Sequence, residues 1–235
     1  MIARRAFAEF IGTAFLVMAV IGSGIAASRL SAGDVGLQLF ESAAVTGAAL
    51  VAIILAVGPV SGAHLNPVIT LLDRMFGGLT TREGAAYIGA QLAGGFTGAV
   101  LANLMFGLKS IEISTQVRSG GGLWLGEVVA TFGLALVIFG VVRSARAGVA
   151  AFAVGAYIAG AYIFTSSTSF ANPAVTFSRM FSNTFAGIAP SSVPGFIAFQ
   201  LVGAVVAAGA IRTLYPDASA VAARIVVPQT AGEGR

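Results

Sequence analysis

The sequence contains no cysteine, a single histidine and a single tryptophan, and only 9% of its 235 residues are charged. Without cysteine there can be no disulfide framework, no thiolate metal site and no thiol nucleophile. One histidine, His64, cannot form a histidine cluster. Soluble domains usually carry about 25% charged residues. A chain this poor in charge and 57% hydrophobic has too little polar residue to cover a water-facing surface, so the expected solvent is a lipid bilayer. The net charge of +4 comes from basic residues scattered along the chain. Nucleic-acid binding would want them clustered on one face, and no such partner is expected. Glycine is abundant instead, with 31 residues, as in membrane helices whose backbones pack closely.

Apolar runs at roughly 6–27, 38–58, 84–107, 123–142, 148–166 and 193–214 read as six spans, each near the ~20 residues that crossing a bilayer requires. The first, which follows Arg4 and Arg5, could pass for a secretory leader. Glu9 inside the apolar run argues for a span instead. With the N-terminus inside, nine basic residues (Arg4, Arg5, Arg74, Arg82, Arg143, Arg146, Arg212, Arg224 and Arg235) fall on the cytoplasmic side. Four (Arg29, Lys109, Arg118 and Arg179) fall outside. This bias predicts that both termini are cytoplasmic. Residues 1–217 read as one transmembrane domain, and 218–235 as a polar cytoplasmic tail.

Two polar stretches interrupt the apolar chain: SGAHLNPVITLLDRMF at 61–76 and SSTSFANPAVTFSRMF at 166–181. In each, Asn is followed by Pro and then by an apolar run too short to cross. Asn is a strong helix N-cap, and Pro suits the first helical turn because its missing N–H would have no partner there. Each stretch therefore predicts a short helix starting at the Asn-Pro. The duplication extends further: YIGAQLAGGFTGA at 87–99 resembles FIAFQLVGAVVAA at 196–208, matching Gln91 to Gln200, and AEFIGTAF at 8–15 resembles GEVVATFG at 126–133, matching Glu9 to Glu127. Each half, about 4–107 and 122–215, holds span, span, short helix, span. Three spans is an odd number, so the second half enters from the opposite side, and the halves form an inverted repeat. The expected fold is an all-α membrane protein: six transmembrane helices plus two half-membrane re-entrant helices. The short helices would meet near the midplane, where irregular backbone is tolerated only if it is buried or lines a cavity. Asn66, Pro67, Val68, Asn172, Pro173 and Ala174 would form the centre of a pore that passes neutral polar solutes and repels cations. Buried carboxylates at Glu9 and Glu127 could be a proton relay. Their symmetric placement, one per half, favours acceptors for loop N–H groups.

On these residues the chain resembles the aquaporin and aquaglyceroporin family, the major intrinsic proteins, over about residues 4–215. The resemblance implies a passive channel, a homotetramer, a bacterial-type inner membrane and no cofactor. It also implies that Glu9, Glu127, Gln91 and Gln200 brace the Asn-Pro loops and that His64 lies near a pore mouth, where it could sense pH. The family's constriction positions, counted from the two Asn residues, fall on Thr46, Gly160, Ser169 (with Phe170 as neighbour) and Val175. Relatives usually carry Arg at the last of these. The sequence also departs from the pattern at Val68, where Ala is usual. Small, uncharged side chains there imply a pore wider than a water-only filter, for glycerol-like polyols, urea, or neutral hydroxides of trivalent arsenic or antimony, including methylated arsenicals. Bacterial members lacking the filter arginine resemble those associated with arsenical transport. The rival readings are an ion-coupled secondary transporter and a closed-pore structural membrane protein. A membrane enzyme lacks a visible nucleophile–base pair or metal set.

Overall fold

The structure, a computed structural model, describes residues 1–143 and 147–216. The tail read at 218–235 lies outside the described residues, as do Arg146, Arg224 and Arg235 of the topology count. The described residues form α1 (Ile2–Leu30), α2 (Val35–Ser61), α3 (Pro67–Phe76), α4 (Thr81–Met105), α5 (Gly121–Arg143), α6 (Ala150–Phe164), α7 (Pro173–Arg179) and α8 (Val193–Leu214). No strand occurs among them.

Among the described residues, five helices are long and apolar enough to span a bilayer. The exception is α6, with 15 residues against the 148–166 expected from hydropathy. It rises about 22 Å and is preceded by a 3-10 turn, Ala147–Val149. The helix stops at Phe164 because the Thr165 hydroxyl donates to Ala161 O at 2.7 Å and Thr165 itself is extended, with φ −105° and ψ 139°. The residues after it turn back into the membrane as a loop.

Both short helices begin at the Asn-Pro. Asn66 (φ −155°, ψ 119°) and Asn172 (φ −155°, ψ 111°) cap α3 and α7 with Pro in the first turn. The Asn66 side-chain oxygen accepts from Val68 N at 2.9 Å. That of Asn172 accepts from Ala174 N at 3.0 Å. Each cap satisfies a donor that the first helical turn leaves without a backbone partner. In the first half α1 packs on α2 and α4; in the second, α5 packs on α6 and α8. The halves join mainly where α2 crosses α6, and α4 and α8 each touch both short helices.

The α2–α6 crossing depends on two glycines. A Cβ added at Gly155 would lie 2.6 Å from Gly47 O, and one at Gly47 would lie 2.9 Å from Gly155 O. Both are closer than real Cβ contacts, so Gly155→Ala should push the halves apart. We expect a loss of about 1–3 kcal/mol, read as a lower unfolding temperature of the detergent-solubilised protein.

Candidate pore

The two loops leading into α3 and α7 are built alike. Residues 63–66 and 169–172 cross the interior with none of their N–H groups in a helical hydrogen bond. Ala63 and Leu65 adopt φ of 48° and 51°, and their counterparts Ser169 and Ala171 adopt 49° and 47°. Left-handed backbone at non-glycine residues is strained, and here it turns successive N–H groups toward one side. A carboxylate waits there in each half. Glu9, on α1, accepts from His64 N at 2.9 Å and Leu65 N at 2.7 Å. It also accepts from Ser61 Oγ at 2.6 Å and Gln91 Nε2 at 2.8 Å. Glu127, on α5, accepts from Phe170 N and Ala171 N, both at 2.9 Å, and from Gln200 Nε2 at 2.5 Å. Gln91 and Gln200 reach on to Thr70 and Thr176, whose hydroxyls donate to Asn66 O and Asn172 O. Both carboxylates are fully buried, and the ring of donors around each is what makes burial tolerable.

The loops are stitched to each other at the centre. Asn66 Nδ2 donates to Ala171 O at 2.8 Å, and Asn172 Nδ2 donates to Leu65 O at 2.7 Å. An amide nitrogen has two hydrogens, so each Asn keeps one N–H beyond its stitch. A cavity runs past both. Leu16 and Val20 of α1, Leu50 and Ile54 of α2, Ile69 of α3, Leu134 and Ile138 of α5, and Val154 and Ile158 of α6 form its apolar walls. Asn66, Asn172 and the loop residues Ala63–Leu65 supply its polar strip. Among the described residues no Asp or Glu lines it. Of the central motif, Val68 and Ala174 are completely buried and do not line the cavity. Val68, the departure from the usual alanine, packs in the core cluster.

His64 contributes to the cavity wall. Its Nδ1 is 3.2 Å from Thr70 Oγ1, its Nε2 is 3.6 Å from Asp73 Oδ2, and its ring meets the Tyr87 ring edge-on at 5.3 Å. It is packed and partnered, not dangling in a vestibule.

Thr46, Tyr162, Ser169, Phe170, Val175 and Arg179 also line the cavity. One expectation needs correction here. Gly160 is exposed and does not line the cavity. Ile158 and Tyr162, one turn apart on the opposite side of α6, do so instead. A count of twelve back from Asn172 assumes a loop length that this chain does not keep, since α6 ends at Phe164. The aromatic Tyr162 therefore stands where a glycine was expected, with its hydroxyl 3.2 Å from Thr46 Oγ1. Ser169 and Phe170 both reach the cavity, and Ser169 Oγ has no hydrogen-bond partner among the described residues.

Sequence reasoning also missed Arg179. The topology reading places it among the outside-loop charges. It is 3% exposed, at the end of α7, with its guanidinium 3.5 Å over the Phe170 ring and Nε donating to Ala186 O. Its spacing of four from Val175 was the available signal, because residues four apart share a helix face. Thr70, Thr176 and Tyr162 carried no such signal.

Two short helices entering from opposite faces, cross-stitched at their caps beside a membrane-depth cavity free of acidic residues, define a passive pore. Comparison with known proteins gives its kinship. The family model of the major intrinsic proteins matches residues 1–169. The aquaglyceroporin AqpS of Rhizobium meliloti is 47% identical over 98% of this chain and 96% of its own. The aquaporin TIP1-1 of Zea mays is 33% identical over 74% of this chain and 73% of its own. Among solved structures, the aquaglyceroporin from Plasmodium falciparum superposes with a TM-score of 0.73 at 21% identity, covering 94% of this chain and all of that one. The chain belongs to the major intrinsic protein family, and its pore is a channel for small neutral solutes.

Proposed function

We propose that this channel passes neutral solutes larger than water: glycerol-sized polyols, urea, and the neutral hydroxides of trivalent arsenic and antimony, methylated arsenicals included. The observation that carries the reading is the make-up of the constriction. Thr46, Tyr162, Ser169, Phe170 and Val175 offer two aromatic walls, two small hydroxyls and an aliphatic face, and the one cation that lines the same section, Arg179, follows a helical turn after Val175. A carbon skeleton can lie along Tyr162 and Val175 while its hydroxyls meet Thr46 and Ser169. The aquaglyceroporin name of the AqpS relative supports the same class of permeant. Glu9 and Glu127 are saturated with loop donors and stand outside the cavity wall, which speaks against ion coupling through them.

The assembly is a homotetramer, a reading that rests on kinship alone. Both termini face the cytoplasm of an inner membrane.

The test is uptake of glycerol, urea and arsenous acid into proteoliposomes, with and without imposed proton and sodium gradients. The expected result is entry of all three at rates indifferent to either gradient. Uptake that follows an ion gradient would indicate a coupled transporter, and no uptake a closed pore. Tyr162→Ala should raise urea and glycerol uptake by about two- to tenfold by removing the aromatic wall. An unchanged rate would place the constriction elsewhere.

A further inference from the structure

Thr46, Tyr162, Ser169 and Val175 carry no positive charge, yet Arg179 follows Val175 by one helical turn and lines the same cavity. Arg179 follows Val175 by four residues on α7, so the two share a helix face and lie about 6 Å apart along it. Arg179 contributes to the cavity wall. Among the described residues it forms no ion pair, and only its Nε has a protein acceptor, Ala186 O. Holding the loop at 185–187 does not require it. Arg118 already binds that loop through Nε to Gly187 O at 2.8 Å and Nη2 to Phe185 O at 3.1 Å. Burying a guanidinium with one protein hydrogen bond is costly, and a lumen of water and solute supplies the acceptors that its Nη groups otherwise lack. Phe170 fixes its position, with the Arg179 guanidinium 3.5 Å and the Arg118 guanidinium 5.4 Å from its ring centre.

We propose that Arg179 is the cation-excluding and solute-orienting residue of this pore, reaching the lumen from the helical turn after Val175 instead of from that position. The arrangement separates two properties that a ring arginine ties together. The charge still reaches the lumen, while the position after Ala174 carries a compact valine. A unit charge about 6 Å away, at the effective dielectric of a protein, alters passage of a cation by about a hundredfold before screening. The Nη groups also present donors to solute oxygens just before these meet the unpartnered Ser169 Oγ.

The proposal rests on the neutral-solute reading of the site, and one experiment separates the two. The chain has no cysteine, so Arg179→Cys places a lone thiol at that position. Proteoliposomes carrying the full chain are assayed for glycerol swelling and for proton leak under a potassium diffusion potential. The thiol is then treated on both faces with 2-aminoethyl methanethiosulfonate, which restores a positive charge, or methyl methanethiosulfonate, which does not. Glycerol swelling in the wild type tests the neutral-solute reading alone. For Arg179, the expected result is a proton leak raised by about tenfold or more in the variant, reversed by the aminoethyl adduct and not by the methyl one. A variant that swells in glycerol and stays as proton-tight as wild type would overturn the proposal, as would a leak that the restored charge leaves unchanged. If the cysteine variant does not assemble, Arg179→Lys and Arg179→Gln give the same contrast. Lysine should remain tight and glutamine should leak, and a tight glutamine variant overturns the proposal.

Discussion

Val175→Arg converts the channel toward a water filter. Val175 sits in the first turn of α7, 5% exposed, in the same cavity section as Thr46, Tyr162 and Ser169. A guanidinium at that position has no free space except the lumen, so it crosses the constriction and narrows it. Glycerol-sized solutes must shed more of their hydration and fit a smaller ring, whereas water still passes in single file. The expected outcome is a fall of at least about tenfold in the ratio of glycerol to water permeability, measured by light scattering on one proteoliposome preparation. An unchanged ratio would mean that Val175 does not line the constriction. The new guanidinium would also stand one turn from Arg179, and that like-charge pair is destabilising. Some loss of thermal stability should therefore accompany the change in selectivity, and Arg179→Gln in the same chain should relieve it.

Glu9→Leu should have the largest effect on stability. The leucine fills much of the volume but accepts nothing. It strands the N–H groups of His64 and Leu65, the Ser61 hydroxyl and one Gln91 amide, all now bound to Glu9. Each unsatisfied buried donor costs about 1–3 kcal/mol, so the sum is comparable to the whole stability of a typical domain. The protein should fail to accumulate in membranes or should aggregate far below the wild-type temperature. Glu9→Gln keeps one acceptor oxygen and should lie between the two, with glycerol flux retained. A leucine variant as stable as the glutamine one would show that the loop does not depend on the carboxylate. Glu127→Leu strands the matching set, the N–H groups of Phe170 and Ala171, one Gln200 amide and the Ser167 hydroxyl, and should be comparably destabilising.

The features legible from sequence were those in which a polar residue stood out against an apolar background. Asn66 and Asn172, Glu9 and Glu127, and Gln91 and Gln200 were expensive enough in a membrane chain to demand an explanation, and their recurrence in both halves supplied it. The fold followed because the Asn-Pro pair marks where a helix starts, and the inverted order fixes from which side it comes. Residues whose role depends on backbone path were not legible. Tyr162 looked like one more aromatic in an apolar run. Only the early end of α6 at Phe164, and the loop with left-handed residues at Thr168, Ser169 and Ala171, turn it toward Thr46. Arg179 looked like a loop charge, because nothing local announces that residues 181–189 fold back to offer it Ala186 O or that Phe170 will lie beneath it. The choice between Ser169 and Phe170 as wall residue was open in the sequence because both reach the cavity. The loop is tightly turned there, and neighbouring side chains share one lumen.

The central claim is a pore open to neutral solutes larger than water, and one measurement addresses it directly. Proteoliposomes containing the purified wild-type chain are mixed with hyperosmotic glycerol in a stopped-flow light-scattering cell. The account predicts a rapid shrinkage as water leaves, followed by re-swelling as glycerol enters, well above the rate of protein-free vesicles. Shrinkage at a channel rate with re-swelling no faster than in protein-free vesicles would contradict it, and would mean that the ring of Thr46, Tyr162, Ser169 and Val175 admits water alone.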